Sequence, residues 1–275
     1  MAQQAVSRDI QRLEHDLGVV LFDRSTRQVR LTPDGAALLQ RAQDLLAMHD
    51  AIIDEIGDTR PLVVDVVGEH LTPHLVVRAA RDDGADIIIR TGGGLAAALP
   101  RLLAGDLDVA FGHVDPARLA PKIQHRIVRD EPLGILVPQD HHLAGATSVP
   151  VSKLRGMTID TSAGNPDATE WTELAATFLA SCGAQPASPH RHVVGAEETA
   201  RHLTARGMPI LSHTTITQIP GAVLVRLIDP APTYRWRMLW RRSQRHPSLI
   251  ALHGVVDRVR AARNEPTAVE WSVPR

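Results

Sequence analysis

Four short polar segments contain the residues whose types and spacing best suit the binding of a small ligand. Each segment lies between a predicted strand and a predicted helix, and the four read GEHLT (68–72), TGGG (91–94), TSAGNP (161–166) and GAEET (195–199). Backbone N–H groups at helix N-termini favour anions, and ligands of α/β folds bind at the carboxyl ends of strands. The candidate ligand-binding residues are Gly68, Glu69, His70, Thr91, Gly93, Gly94, Thr161, Ser162 and Glu197.

Two alternatives compete with this interpretation. Ordinary helix capping uses the same residue types, and Glu69 would disfavour a nearby anion. Residues 92–97 (GGGLAA) also fit the dinucleotide pattern G-x-G-x-x-A, with Asp115 about twenty residues further on. That pattern follows the second strand of its region instead of opening it, and the sequence has no Walker lysine. Nucleotide binding is therefore disfavoured.

Metal binding and catalysis have weaker support. The histidines pair as HH (141–142) and HRH (190–192), but no cysteine or carboxylate cluster accompanies them, so solvated or capping histidines are favoured over a zinc site. Cys182 has no convincing histidine partner, and the sequence lacks G-x-S-x-G and H-E-x-x-H. We therefore expect no bound metal, no fixed cofactor and no enzymatic activity.

The ligand candidates sit in a region of alternating strands and helices. LVVDVVG, DIIIR and DVAFG read as strands separated by helices near 73–82 and 95–104, which is the pattern of an α/β sheet. MTID, HVV and MPILS, with helices near 167–182 and 196–205, form a second such series. The strands near 133–138 and 234–240 are candidates for the crossings between two lobes. The alternation in YRWRMLWRR predicts a half-buried edge strand with a solvated arginine face.

The N-terminal region has a different organisation. Val6, Ile10, Leu13 and Leu17 form one apolar stripe of a helix over 3–17, and Gln4, Ser7, Arg8 and Gln11 lie on its other side. The short apolar runs 20–22 and 29–31 flank a polar stretch and predict a hairpin. From Thr32, a good N-cap, a helix runs to Gly57 with about three heptads of apolar pattern. We expect this long helix to pair with another helix.

The bulk composition sets broad limits. Apolar residues make up 44% and charged residues 22% of the 275 residues, which is ordinary for a globular protein. The formal net charge is −1, so any nucleic-acid contact must use a local basic surface. The single cysteine excludes an internal disulfide, and no apolar run approaches the ~20 residues of a membrane span. With no signal-peptide pattern at the start, we expect a cytoplasmic protein.

Several motifs together resemble the LysR-type transcriptional regulators. AQQAVSRDIQRLEHDLGVVLFDRSTRQVRLTPDGAALL resembles the second half of that family's winged helix-turn-helix, with Ala5-Val6-Ser7, Arg12-Leu13-Glu14 and Leu31-Thr32-Pro33-Asp34-Gly35 in matching places. LLAGDLDVAFGH, LVPQDHHLA and TARGMPILS resemble later family segments, although His142 stands for a proline and Met208-Pro209 departs from the pattern. The resemblance covers nearly the whole chain.

The resemblance implies roles for specific residues. Helix 3–17 would be the recognition helix in the major groove of double-stranded DNA, where Gln and Arg side chains can read base edges. The two lobes after residue 61 would resemble periplasmic binding proteins, with a small-molecule effector in the cleft between them. The implied base and phosphate contacts are Gln3, Gln4, Ser7 and Arg8, with Gln11 as a further candidate, and the implied phosphate contacts of the wing are Arg24, Arg27 and Arg30.

The family has two helices before this recognition helix, and the sequence does not show them. Val6, Ile10 and Leu13 would pack on those helices, and an isolated helix of this length is marginal in water. Either the true start lies upstream of Met1 or the gene is truncated. We expect the former, because the wing and the long helix are intact.

The expected fold class is α/β, with a partial winged helix-turn-helix, a long linker helix and two lobes of type II periplasmic-binding-protein-like architecture. The expected partners are operator DNA, RNA polymerase indirectly, a small-molecule effector, and further copies of the chain in a homodimer or homotetramer. The alternative is a headless module that binds an effector and dimerises without binding an operator. The expected domains are 1–32 (recognition helix and wing), 33–57 (linker helix), 61–263 (lobe one about 61–133 and 236–263, lobe two about 134–235) and a loose tail at 264–275.

Overall fold

A computed structural model describes residues 2–23, 30–56, 60–161, 168–187, 193, 195–216, 218–262 and 270–271. The chain divides into two compact units, Met1–Gly57 and Asp58–Arg275. Each unit is described by itself.

The first unit contains two helices and a short hairpin. The strands pair antiparallel, with Phe22 opposite Leu31. Gly18, which follows the first helix, has a φ of 68° and suits the left-handed turn that ends a helix. In chain order the elements are α1 (Ala2–Leu17), β1 (Phe22–Asp23), β2 (Arg30–Leu31) and α2 (Pro33–Ile56).

Three residues of the family-like motifs fasten this hairpin to the helices. The Glu14 carboxylate accepts hydrogen bonds from the backbone N–H groups of Leu21 (2.9 Å) and Phe22 (3.2 Å). The Thr32 hydroxyl donates to Val20 O at 2.6 Å and accepts from Gly35 N at 3.0 Å, which caps α2 as the sequence predicts. A Cβ on Gly35 would lie 2.1 Å from Leu21 O, so only glycine fits there.

The second unit begins with three parallel strands and two connecting helices. We call these elements, together with the last helix of the unit, lobe one. The strands lie in the order β4-β3-β5. β3 and β5 are largely buried, as their continuous apolar runs predict, whereas Ile88 on the edge strand β4 is exposed. The elements are β3 (Leu62–Val66), α3 (Thr72–Asp82), β4 (Ile87–Thr91), α4 (Gly94–Ala104) and β5 (Val109–Gly112).

A 16-residue strand, β6 (Ile123–Pro138), then leaves lobe one and enters a second group of elements, which we call lobe two. In lobe two, β10 and β11 both pair antiparallel with β6, and β7 pairs parallel with β11. Of the predicted HVV strand, only Val193 lies among the described residues. The elements are β7 (Ser148–Pro150), β8 (Thr158–Ile159), α5 (Thr169–Cys182), β9 (Gln185–Pro186), α6 (Ala196–Arg206), β10 (Ile210–His213) and β11 (Ala222–Ile228).

The chain returns to lobe one through β12 (Ala231–Arg241), followed by α7 (Pro247–Ala261) and β13 (Glu270–Trp271). The prediction of an edge strand here is wrong, because β12 is paired with β5 on one side and β6 on the other. Alternation of residue types reports which face a side chain occupies, but not whether a neighbouring strand is present. Arg237 is consequently buried, and Arg235 pairs with Asp130 at 2.6 Å.

Candidate functional site

The residues proposed to contact DNA are only partly described. Ser7 and Arg8 are exposed on α1, and Arg30 is exposed on β2. Gln3 and Gln4 belong to α1, but their side chains lie outside the described set, as do Arg24 and Arg27 entirely. The described part therefore presents one helix face and one hairpin strand with hydroxyl and guanidinium groups at the surface.

The predicted ligand-binding loops of lobe one are neighbours, because β3 and β4 pair in parallel. Gly68, Glu69 and His70 follow β3, and His70 has a φ of 63°. Thr91 ends β4, and Gly93 and Gly94 begin α4. Both loops lie at the carboxyl ends of their strands, as expected.

The lobe-two candidates are more dispersed. Thr161 is buried, and its carbonyl oxygen accepts a hydrogen bond from Trp171 Nε1 at 3.2 Å, which brings it to the start of α5. Ser162 lies outside the described residues. Glu197 is exposed in the first turn of α6.

The N-terminus of α4, which the sequence predicts as an anion site, is occupied by the protein's own carboxylate. Glu170 on α5 accepts a hydrogen bond from Leu95 N at 3.1 Å. A Cβ on Gly94 would lie 2.8 Å from a Glu170 carboxylate oxygen, so the glycine makes room for this side chain. Burial raises the pKa of Glu170. Helix α4 of lobe one and helix α5 of lobe two thus meet through this carboxylate.

A second carboxylate, that of Asp65 on β3, lies under the same loop. A Cβ on Gly92 would lie 2.0 Å from an Asp65 oxygen, and the backbone N–H of Gly92 donates to this carboxylate. Burial raises the pKa of Asp65 to about 6, although Arg101, at 3.7 Å, opposes the shift. Two of the three successive glycines, Gly92 and Gly94, therefore make room for carboxylates of the chain itself.

A third carboxylate joins the two lobes at greater depth. Glu131 on β6 is fully buried and accepts hydrogen bonds from Thr72 Oγ1 (2.6 Å) and Trp236 Nε1 (2.6 Å) at Oε2. At Oε1 it accepts from the backbone N–H (3.2 Å) and the hydroxyl of Thr215. Burial acts to raise the pKa of Glu131, but His213 and these hydrogen bonds hold it below its usual value.

An aromatic cluster surrounds Glu131. The centroid of the His213 ring lies 4.7 Å from the ring centroid of Trp171, 4.9 Å from that of Tyr234 and 5.5 Å from that of Trp236. Burial lowers the pKa of His213, although the Glu131 carboxylate opposes this shift. The Tyr234 hydroxyl accepts from His113 N at 3.2 Å, and burial raises the tyrosine pKa well above its usual value.

A cavity of about 460 Å³ opens beside Glu170, between α4, the turn after β5 and α5. This volume is within the range of small-molecule sites. Apolar side chains of both helices and several carboxylates line it. The sequence pattern did not predict this set: Asp115 was weighed only as part of a dinucleotide pattern, and Glu173 sits in no recognisable motif. Its lining includes Leu95, Leu99, His113, Asp115, Arg118, Glu170, Glu173 and Leu174.

No group of three or more His, Cys, Asp or Glu side chains among the described residues could hold a metal ion. No helix in the described part of the chain is long and apolar enough to cross a membrane.

A partial winged helix-turn-helix followed by a two-lobed ligand-binding fold defines a class of bacterial regulator, and comparison with known proteins identifies the family. A model of the bacterial regulatory helix-turn-helix protein of the LysR family matches residues 1–36, and a model of the LysR substrate binding domain matches residues 62–262. The chain therefore belongs to the LysR family, and its relatives in that family are named as transcriptional regulators or activators, not as enzymes.

One curated relative is a probable hydrogen peroxide-inducible genes activator of Streptomyces viridosporus, 29% identical over 168 residues that cover 58% of this chain and 53% of that protein. The chain thus spans about half the length of the first curated relatives that it matches. Full-length BenM is 21% identical, with a TM-score of 0.62 over 100% of this chain and 91% of that one. Full-length CbnR in complex with its target DNA is 22% identical, with a TM-score of 0.59 over 94% and 90%. These structures confirm the expected α/β fold.

Proposed function

We propose that this chain is a DNA-binding transcriptional regulator that responds to a small-molecule effector bound between its two lobes. The observation that carries the proposal is the joint match of a LysR helix-turn-helix model and a LysR substrate-binding model to one chain. The helix-turn-helix match favours this function over the headless effector-binding module. The related CbnR structure, solved with its target DNA, supports the first half of the proposal.

In this proposal, the exposed face of α1 enters the major groove and the hairpin contacts phosphates. The α2 helices pair two subunits of a homodimer or homotetramer, which then presents two recognition helices to an operator with dyad symmetry. The protein works in the cytoplasm with an effector as its only small-molecule partner, and it acts on RNA polymerase indirectly. The proposed DNA contacts are Gln3, Gln4, Ser7, Arg8, Arg24, Arg27 and Arg30.

The effector half of the proposal rests on the loops at the carboxyl ends of β3 and β4 and on the opening of lobe two. An effector there would favour one relative arrangement of the lobes and so shift the population of assemblies. The proposed effector residues remain Gly68, Glu69, His70, Thr91, Gly93, Gly94, Thr161, Ser162 and Glu197.

DNA binding is tested by selecting sites from a random duplex pool with the 275-residue chain and measuring affinity by fluorescence anisotropy. We expect sequence-specific binding that weakens steeply with salt. Arg8→Ala should weaken it by roughly tenfold, since a base or phosphate contact contributes about 1–3 kcal/mol. Arg12→Ala is the matched control, because Arg12 is exposed on the same helix but is not a proposed contact. An absence of specific binding would leave the headless module as the better account.

A further inference from the structure

The cavity beside Glu170 has two kinds of wall. Leu95 and Leu99 on α4 and Leu174 on α5 give it an apolar side. Glu170 and Glu173 on α5 and Asp115 in the turn after β5 give it an acidic side. An apolar surface with a few convergent polar groups is the usual composition of a small-molecule site.

Glu170 has one carboxylate oxygen that lacks a partner. The residue is 9% exposed, Oε1 accepts from Leu95 N, and Oε2 is buried without a hydrogen-bond partner among the described atoms. A buried carboxylate oxygen left in this state is costly, and native proteins rarely leave one unsatisfied. Glu170 is also one of the residues that line the cavity.

The charges of the cavity wall favour a cation. Three carboxylates face one guanidinium, that of Arg118, and Asp115 also interacts with Arg237 on β12. Burial lowers the pKa of His113, so its ring adds no positive charge near pH 7. The helix N-terminus that would attract an anion is already bonded to Glu170. An anionic ligand would therefore meet like charges and find its best donors occupied.

We propose that this cavity binds a small cationic effector, with an ammonium or guanidinium group placed against the carboxylates of Glu170 and Glu173 and an apolar portion against Leu95, Leu99 and Leu174. This inference deepens the proposed function and rests on it, because the bound cation is an effector only if the chain is a regulator. Its structural content, a cation site between α4 and α5, stands on the cavity alone.

The test is calorimetric titration of the full chain with 1,4-diaminobutane and agmatine, with 1,4-butanediol as the uncharged analogue and benzoate as the anion. We expect at least one cationic probe to bind, and the diol and benzoate to bind at least about tenfold more weakly. Glu170→Gln should weaken cation binding by roughly tenfold or more, and Glu173→Gln, on the exposed face of α5, by about threefold. Glu198→Gln on α6 is the matched control and should leave affinity unchanged.

Tighter binding of benzoate than of both cationic probes, or equal affinity of the parent protein and Glu170→Gln, would overturn the proposal, as would an absence of heat with every cationic probe. Glu173→Gln guards against misfolding, because that side chain is exposed. Specific DNA binding is measured on the same preparation. DNA binding without cation binding defeats only the cation site, whereas cation binding without DNA binding defeats the proposed function and leaves the site intact.

Discussion

At the scale of single residues, three buried carboxylates near the contacts between the lobes differ in their hydrogen-bond and charge partners. Glu131 has four hydrogen-bond donors, and Glu170 has one unpartnered oxygen. Asp65 accepts from the Gly92 backbone N–H and has the Arg101 guanidinium at 3.7 Å. The pKa of Glu131 is accordingly lowered, while those of the other two are raised. Replacing Glu131 with a neutral amide should therefore lower the free energy of unfolding, whereas the same change at Asp65 should raise it.

Asp65→Asn should stabilise the protein at neutral pH. The pKa of Asp65 is about 6 in the folded protein against 3.8 normally, so between these values the folded state binds more protons than the unfolded chain and stability falls as pH rises. The gain in the free energy of unfolding is at most about 3 kcal/mol above pH 6 and disappears below pH 4. Urea denaturation of both proteins from pH 4 to 8 measures it. Arg101 and Glu170 are the charged groups facing Asp65, and a stability difference that does not change with pH would contradict the prediction.

Glu131→Gln should have the opposite effect. Each carboxylate oxygen accepts two hydrogen bonds, so an amide NH₂ would face two donors whichever way it turned. We expect a loss of about 2–4 kcal/mol in the free energy of unfolding at pH 7, measured by urea denaturation. Because the folded pKa is lowered, this difference shrinks as pH falls through the carboxyl range. Glu173→Gln is the control, and a loss as small as that control's would refute the account.

At the scale of elements, the hairpin depends on its contact with the first turn of α2. Gly35→Ala would normally stabilise a helix by roughly 0.5–1 kcal/mol, but the added Cβ would lie 2.1 Å from Leu21 O. We therefore expect the variant to displace the hairpin and to speed amide hydrogen exchange at Leu21, Phe22 and Thr32. The control is Ala37→Ser, since Ala37 is exposed on the same helix. Unchanged exchange at these three amides would contradict the steric argument.

Local sequence patterns predicted the helices and strands well, but they predicted poorly which elements pack against one another. Helix 3–17 is observed as Ala2–Leu17, and the helix after Thr32 runs from Pro33 to Ile56, because caps and apolar spacing act within a few residues. The same signals could not show that β12 has two partners. Nor could they show that Glu170 reaches Leu95, since the two are 75 residues apart in the chain. The loops at the ends of β3 and β4 lie beside one another because these strands pair in parallel, but the carboxylate at the start of α4 comes from α5.

At the scale of the whole two-lobed unit, the lobes are joined by two paired strands, by an apolar core and by polar contacts between side chains. β6 and β12 pair antiparallel over most of their length. One core cluster includes Val64 of lobe one and Phe178 of lobe two. Glu131 links Thr72 of lobe one to Thr215 of lobe two, and Glu170 links α5 to α4. These polar contacts add specific hydrogen bonds to the apolar packing between the lobes.

Removing Glu170 should loosen the unit in a way that a map of hydrogen exchange can locate. In Glu170→Ala, the Leu95 amide loses its acceptor, so exchange should accelerate at the start of α4 by roughly tenfold or more. The amides of Leu21 and Phe22 in the first unit serve as internal controls, because Glu14 still accepts from them. A cation bound to the parent protein should have the reverse effect and slow exchange at Leu95, since it holds the Glu170 carboxylate in place. Equal exchange at Leu95 in all three samples would mean that Glu170 does not hold the lobes together, and that an effector must act on them through Glu131 and the crossing strands instead.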